Sequence, residues 1–258
     1  MKTTRNRPGL RTMAAAGITC LLGVNASAAA FSLNPSADAF VTTGPSGNLS
    51  NNNYGGAGAL SVAAPGLSQG EFQSVFQFDL SAAKASFDGQ FGVGQWTIQS
   101  VALQLTSASP NNAIFNASAA GQFGVSWMQN DGWMEGSGTP QSPTTVGITF
   151  SSLNSFLSSA DERLGTFNFN GGTSGNSTYT LGLTPLFSAD ILAGDAVSLR
   201  MFAADSVVSY LFDSRSFNTA SARPLLTITA VPEPGGAALL MAGVVIVRFR
   251  SALRSRQE

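Results

Sequence analysis

Phe72-Gln73-Ser74-Val75-Phe76-Gln77-Phe78-Asp79-Leu80 is the stretch that decides the fold class. Phe72, Ser74, Phe76 and Phe78 fall on one side of an extended chain. Gln73, Val75, Gln77 and Asp79 fall on the other. Side chains of a β-strand alternate between faces, so a period of two predicts a strand with one face buried. Phe72, Phe76 and Phe78 are expected to pack against an opposing sheet.

Working outward, residues 96–106 repeat the pattern with Ile98, Val101, Leu103 and Leu105. Residues 37–43, 60–64, 121–128, 165–169, 178–183, 196–203, 207–212 and 225–230 complete ten expected strands. Between them lie Gly, Asn, Ser and Asp, including the long loop 44–58 and the turn-like pairs Gly194-Asp195 and Ala204-Asp205. Helical pattern is scarce. Residues 151–160 place Leu153, Phe156 and Leu157 on one face. Residues 185–193 follow Thr184, a candidate N-cap, with Pro185 at the first helical position. The reading is all-β: a jelly-roll-like antiparallel β-sandwich with short helical turns.

Composition narrows the function classes. Residues 31–230 hold 12 acidic side chains against five basic ones, a net charge of −7. The whole-chain value of −1 hides this, because eight of the 13 basic residues lie near the two termini. A negative domain lacks the basic footprint of a nucleic-acid binder, so no nucleic-acid partner is expected. The chain contains no histidine, which excludes a Ser-His-Asp triad and any His-ligated zinc. Its one cysteine, Cys20, falls in the N-terminal apolar segment. Paired carboxylates, a Ser-Lys dyad using Lys84 or a tyrosine are what remain for catalysis.

Both ends carry hydrophobic targeting patterns. Lys2, Arg5, Arg7 and Arg11 precede an apolar stretch at 13–24, and Ala26-Ser27-Ala28 offers small residues for cleavage after Ala28 or Ala30. Residues 1–28 therefore read as a secretory signal peptide. At the other end, Val231-Pro232-Glu233-Pro234 leads into the apolar run 235–247, then Arg248, Arg250, Arg254 and Arg256. That run has 13 residues, whereas a helix takes about 20 to span a bilayer. Flanking arginines that snorkel make up part of the difference. The three-part order over residues 231–258 resembles the PEP-CTERM sorting signal of Gram-negative bacteria. The resemblance implies an exosortase-type membrane transpeptidase as partner. It also implies a membrane-held precursor and delivery to the cell envelope, surface or exopolysaccharide matrix. An ordinary short C-terminal anchor is the competing reading.

The middle of the chain carries a second resemblance. Its pieces are Ala37-Asp38-Ala39-Phe40-Val41, Asn53-Tyr54-Gly55, Phe76-Gln77-Phe78-Asp79-Leu80 and residues 98–105. Further along come Trp133-Met134-Glu135-Gly136, Gly147-Ile148-Thr149-Phe150, Phe212-Asp213-Ser214-Arg215 and residues 223–228. In this order they resemble the DNRLRE-type domain of bacterial and archaeal surface proteins, a jelly-roll relative of carbohydrate-binding modules. The resemblance covers nearly all of residues 31–230. It implies a non-catalytic domain, with acidic polysaccharides among its ligands. The Ser-Arg-Glu common near the family's end reads Ser214-Arg215-Ser216 here.

Several constellations carry chemistry. Trp133 and Tyr54 are candidate sugar platforms, since a flat ring in a loop stacks on the apolar face of a pyranose. A core residue plugging the end of the sandwich is the plainer reading of Trp133. Asp131 and Glu135 frame Trp133. Two carboxylates about 5 to 9.5 Å apart are what glycoside hydrolysis requires, so a polysaccharide-processing enzyme is the alternative function. Asp38 and Asp213 could share a calcium ion, a hard cation that takes carboxylate oxygens. Turn-forming carboxylates satisfied by their own backbone are the plainer reading of that pair. Arg215 and Arg223 flank the 216–222 loop and could grip the carboxylates of an acidic sugar. The leading expectation is an exported, non-enzymatic surface or matrix protein, structural or adhesive within extracellular polysaccharide. A dedicated carbohydrate-binding module is a further alternative.

Overall fold

The computed structural model describes residues 27–233. The N-terminal apolar segment, Pro234, the apolar run, Arg248 and Arg250 lie outside the described residues. Eleven strands are described: β1 (Ala29–Leu33), β2 (Ala37–Thr42), β3 (Ala59–Ala63), β4 (Phe72–Asp79), β5 (Trp96–Ala108), β6 (Gly121–Met128), β7 (Glu162–Phe169), β8 (Asn176–Leu181), β9 (Ala196–Ala203), β10 (Ser209–Asp213) and β11 (Leu225–Pro232). The helices are α1 (Ser81–Phe91), α2 (Phe150–Leu153) and α3 (Pro185–Ala193). The fold is all-β, as the alternation predicts, and every strand pair is antiparallel.

One layer runs β1-β11-β5-β8 and the other β2-β4-β9-β6-β7. The pair β3-β10 joins them. β10 meets the far end of β5 at Leu211↔Ala108 and Phe212↔Ser107, and β3 touches the start of β4 at Ala63↔Phe72. The sheet curls through this corner. On the other side Gly182 N donates to Leu164 O at 2.6 Å, so the end of β8 reaches β7.

The inner core explains why β4 is a strand. Phe76 and Phe78 are fully buried among Val101, Leu103, Phe123, Leu199, Phe212 and Ile228. Aromatic rings fill much of the space between the layers: Phe169 stacks on Tyr210 at 3.7 Å, and Phe123 meets Tyr179 edge to face at 5.0 Å. Ser74, on the same face, is no defect. Its hydroxyl accepts from Ser61 N and donates to Ser61 O, both at 2.8 Å, so its burial leaves nothing unpaired.

Several expectations change. The other face of β4 is buried as well: Val75 is inaccessible and Gln73 nearly so. Residues 129–160 fold across it, packing Trp133, Ile148 and Leu153 on Ala39, Val41 and Val75. Second, β1 had no sequence signal of its own, being five residues beside the expected cleavage points. Ala29 and Ala30 pair with Ala230 and Thr229, so cleavage after Ala28 leaves β1 whole and cleavage after Ala30 does not. Third, α1 is a helix with only Ala83 and Phe87 buried, a stripe too sparse to read as periodicity. The helix expected at 151–160 shrinks to α2 followed by a 3-10 turn, Asn154–Phe156. α3 forms where Pro185 places it, with left-handed Gly194 closing it. Thr184 stands at the N-cap position as expected, but its side chain makes no capping bond. Glu162 Oε2 takes the amides of Leu186 and Phe187 instead, at 3.0 and 2.9 Å.

Candidate functional site

Three of the residues singled out in the sequence, Asp38, Glu135 and Arg215, converge on one node. Asp38 stands in β2, Glu135 in the segment that crosses the outer face, and Arg215 just past β10. Arg215 Nε donates to Glu135 Oε1 at 2.7 Å, and Nη2 donates to Oε2 in a second, very short contact. This is a two-point guanidinium–carboxylate pair, the geometry in which arginine holds a carboxylate most firmly. The backbone of Arg215 donates to Asp38 Oδ2 at 2.7 Å, and Asp38 N donates to Glu135 Oε1 at 3.2 Å. Three segments distant in sequence are thereby clasped together.

Asn53 extends the node into the 44–58 loop. Its amide donates to Glu135 O at 2.6 Å and Ile148 O at 2.8 Å, and its oxygen accepts from Gly55 N and Gly138 N. Its backbone amide donates to Thr144 O at 2.7 Å. Glycine is required around it. Gly136 has φ +74°, and a Cβ there would lie 2.3 Å from Asn53 Oδ1. Asn53 was quoted in the sequence for its surroundings but not as a site residue. The glycines at 55, 136, 138 and 147 were the available signal, since close backbone approach is a standard reason for glycine.

The electrostatics are unusual in one respect. Asp38 is 0% exposed, and its Oδ1 has no hydrogen-bond partner. Burial pushes its carboxyl up to about 7, with the Glu135 charge adding to the rise and the Arg215 contacts opposing it. Asp213, 6% exposed, is raised to about 6 by burial alone. The expected calcium pairing of these two is not built by paired strands. β2 pairs with β4, while β10 pairs with β3 and β5. Among the described residues no three acidic side chains gather as a metal-ligand set, and Glu135 is committed to Arg215.

The sugar platforms are corrected. Tyr54 is 1% exposed and stacks on Phe40 with centroids 4.8 Å apart, and its hydroxyl accepts from Asn52. Trp133 is 4% exposed and donates to Ser198 Oγ at 2.9 Å. Neither ring can stack on a ligand, because each already has protein on its faces. Trp133 is the plug of the outer core. Arg223 is not free either: its Nε donates to Phe217 O at 2.9 Å within its own loop. Asp131 and Glu135 belong to different surroundings. Asp131 feels Ser198, Asp190 and Asp195, and its backbone oxygen accepts from Gln77 at 2.7 Å. The buried Trp133 between them leaves no open cleft beside that ring. What the node does chemically is hold segments together, with Asp38 Oδ1 its one buried oxygen without a partner.

The first three residues of the 231–234 stretch are among those described. Val231 pairs with Thr97, Pro232 with Trp96, and Glu233 N donates to Gln95 O at 3.0 Å. Proline is tolerated there because it ends the strand. Among the described residues no helix is long and apolar enough to cross a membrane. No family model matches the chain, and no curated protein matches it.

Proposed function

We propose that this chain is an exported, non-catalytic protein of the bacterial surface or extracellular matrix. Its β-sandwich has a structural or adhesive role in extracellular polysaccharide, and an exosortase-type transpeptidase sorts it at Pro232-Glu233-Pro234. The observation that carries the reading is the way β11 runs into the motif. β11 pairs with β5 through Pro232, Glu233 N then donates to Gln95 O just before β5, and β1 lies beside β11 with Ala29 opposite Ala230. The two sequence patterns read as targeting signals thus flank one folded unit at neighbouring points of one sheet.

The use of the acidic side chains supports the non-catalytic part. Glu135 clasps Arg215, and Glu162 caps α3. Asp88 and Asp190 take the indole N–H groups of Trp96 and Trp127. Asp205 and Asp161 close turns through backbone amides. Carboxylates spent in this way are fixed in structural bonds. The test is Glu233→Ala in the native host. A membrane-held, unprocessed precursor is expected, seen by cell fractionation and intact-mass measurement. A mature protein with unchanged C-terminus at the surface would sink the sorting reading.

A further inference from the structure

Among the described residues three arginines, Arg163, Arg200 and Arg223, have no carboxylate partner, and two of them stand together. The two salt bridges among the described residues use Lys84 with Asp88 and Arg215 with Glu135. Arg223 is held by its own loop. That leaves Arg163 on β7 and Arg200 on β9. Both sit directly opposite Ser126 of β6, the strand between them. Two strand spacings put their backbones about 10 Å apart. Phe202, one step along β9, lies between the side chains: the guanidinium carbons of Arg163 and Arg200 are 5.4 and 4.7 Å from its ring centroid.

The strip is built rather than incidental. Gly124 lies opposite Phe202 in mid-strand, where glycine has no side chain to pack and weakens a sheet. A Cβ at 124 would lie 2.8 Å from Phe202 Cζ and 3.0 Å from Arg163 Nη2. Glycine therefore opens the space that lets the ring reach across β6 toward Arg163. Thr166 accepts from Arg163 Nη2 and Gln73 from Arg200 Nε, both at 2.7 Å. Each guanidinium has five N–H donors, so most remain to offer. Glu71 and Asp161 act on Arg200 at a distance. Glu71 accepts from Gln73, and Asp161 accepts from Gln129 N and Ser158 N. Amide and hydroxyl side chains, Gln122, Asn168 and Thr166, continue the row.

We propose that Arg163, Phe202 and Arg200 form a binding strip for a carboxylate-bearing polysaccharide strand. The carboxylates dock on the two guanidinium forks, and the neighbouring amides and hydroxyls meet sugar hydroxyls. The proposal rests on the polysaccharide-matrix reading above and gives that reading a site. Charge complementarity selects the occupant: in a domain of net charge −7, this is where two cations without a carboxylate partner meet. The chain's own outlying segments do not fit. Residues 1–26 carry four basic and no acidic side chains, and residues 234–258 carry four arginines and only Glu258. The one ring here is sandwiched by arginines, so it offers no free apolar face as an anchor for a protein partner.

The experiment is calorimetry of the full chain in mild detergent against polygalacturonate, its fully methyl-esterified form and poly-glutamate. Arg163→Gln with Arg200→Gln should weaken polygalacturonate binding at least tenfold. Arg223→Gln should leave it unchanged. Added salt should weaken the wild type, since exposed charge contacts are screened. Phe202→Leu, which keeps an apolar side chain but removes the ring, should weaken binding without changing the far-ultraviolet circular dichroism. Equal binding of the esterified polymer, equal binding by the double arginine variant, or no binding of polygalacturonate overturns the proposal. Poly-glutamate binding as tight as polygalacturonate would overturn it in favour of an acidic peptide. A dimer that the double variant abolishes would overturn it in favour of a second copy. Surface delivery of the double variant in the host separates the two readings: normal delivery with lost binding leaves the sorting reading standing and assigns the strip.

Discussion

On the inner face of β4, Phe76 and Phe78 pack among side chains contributed by nearly every strand of both layers. On the outer face, Val75 packs beneath Trp133, Ile148 and Leu153, which all come from one crossing segment. The inner core is held by apolar area gathered from the whole chain, so it should form and fail as a unit. The outer core is small and depends on what keeps its cover in place. That is largely polar: Asn53 reaching Glu135, Ile148, Gly55 and Gly138, and the Glu135–Arg215–Asp38 clasp. One strand thus borders a cooperative core and a latched one. The latched core should open locally and respond to pH.

Phe76→Ala tests the inner side and should have the largest effect. A fully buried ring replaced by a methyl costs roughly 3–5 kcal/mol, read as a drop in global stability in urea melts. An unchanged midpoint would contradict the inward assignment of Phe76. Asn53→Ala should cost about 3 kcal/mol, because several buried partners lose their bonds at once. Hydrogen exchange should show that loss concentrated in residues 129–149, with β5 and β9 still protected. Uniform loss of protection would mean the two cores are one cooperative unit.

The smallest effect should be a pH slope. Folded Asp38 and Asp213 keep protons up to about 7 and about 6, while unfolded carboxyls release theirs near 4. The native state holds more protons through that window, so stability falls as pH rises from about 4 to about 7. The carboxyls of Asp79, Asp88, Glu162 and Asp205 are held below their ordinary range and act in the opposite direction at lower pH. Asp38→Asn should flatten the slope and stabilise the fold at pH 8 by about 1 kcal/mol, read as a raised melting temperature. Melts with calcium and with chelator should superimpose. A calcium-dependent rise lost in Asp38→Asn would mean that the orphaned Oδ1 meets a cation.

The strands were legible because alternation survives in β4, β5, β9 and β11, where one face meets the inner core. β4 also shows the limit. Gln73, Val75 and Gln77 read as a solvent face, because alternation reports two faces but not what lies over the polar one. The node was half legible. Asp38, Asn53, Glu135 and Arg215 all lay in stretches that stood out, yet Glu135 and Arg215 were assigned to a ligand. In the fold they bind each other, 80 positions apart in sequence. Trp133 and Tyr54 had the right chemistry for a platform, but burial, which no local pattern encodes, removed it.

Sequence alone determined that the domain is antiparallel β, acidic and without histidine chemistry, because period, charge and composition are local or additive properties. Tertiary structure alone decided which side chains are free. Whether an arginine is spent on a glutamate, as Arg215 is, or left beside a ring, as Arg163 and Arg200 are, depends on contacts between residues far apart in the chain. Those contacts are set by how the layers curl and where residues 129–160 cross them.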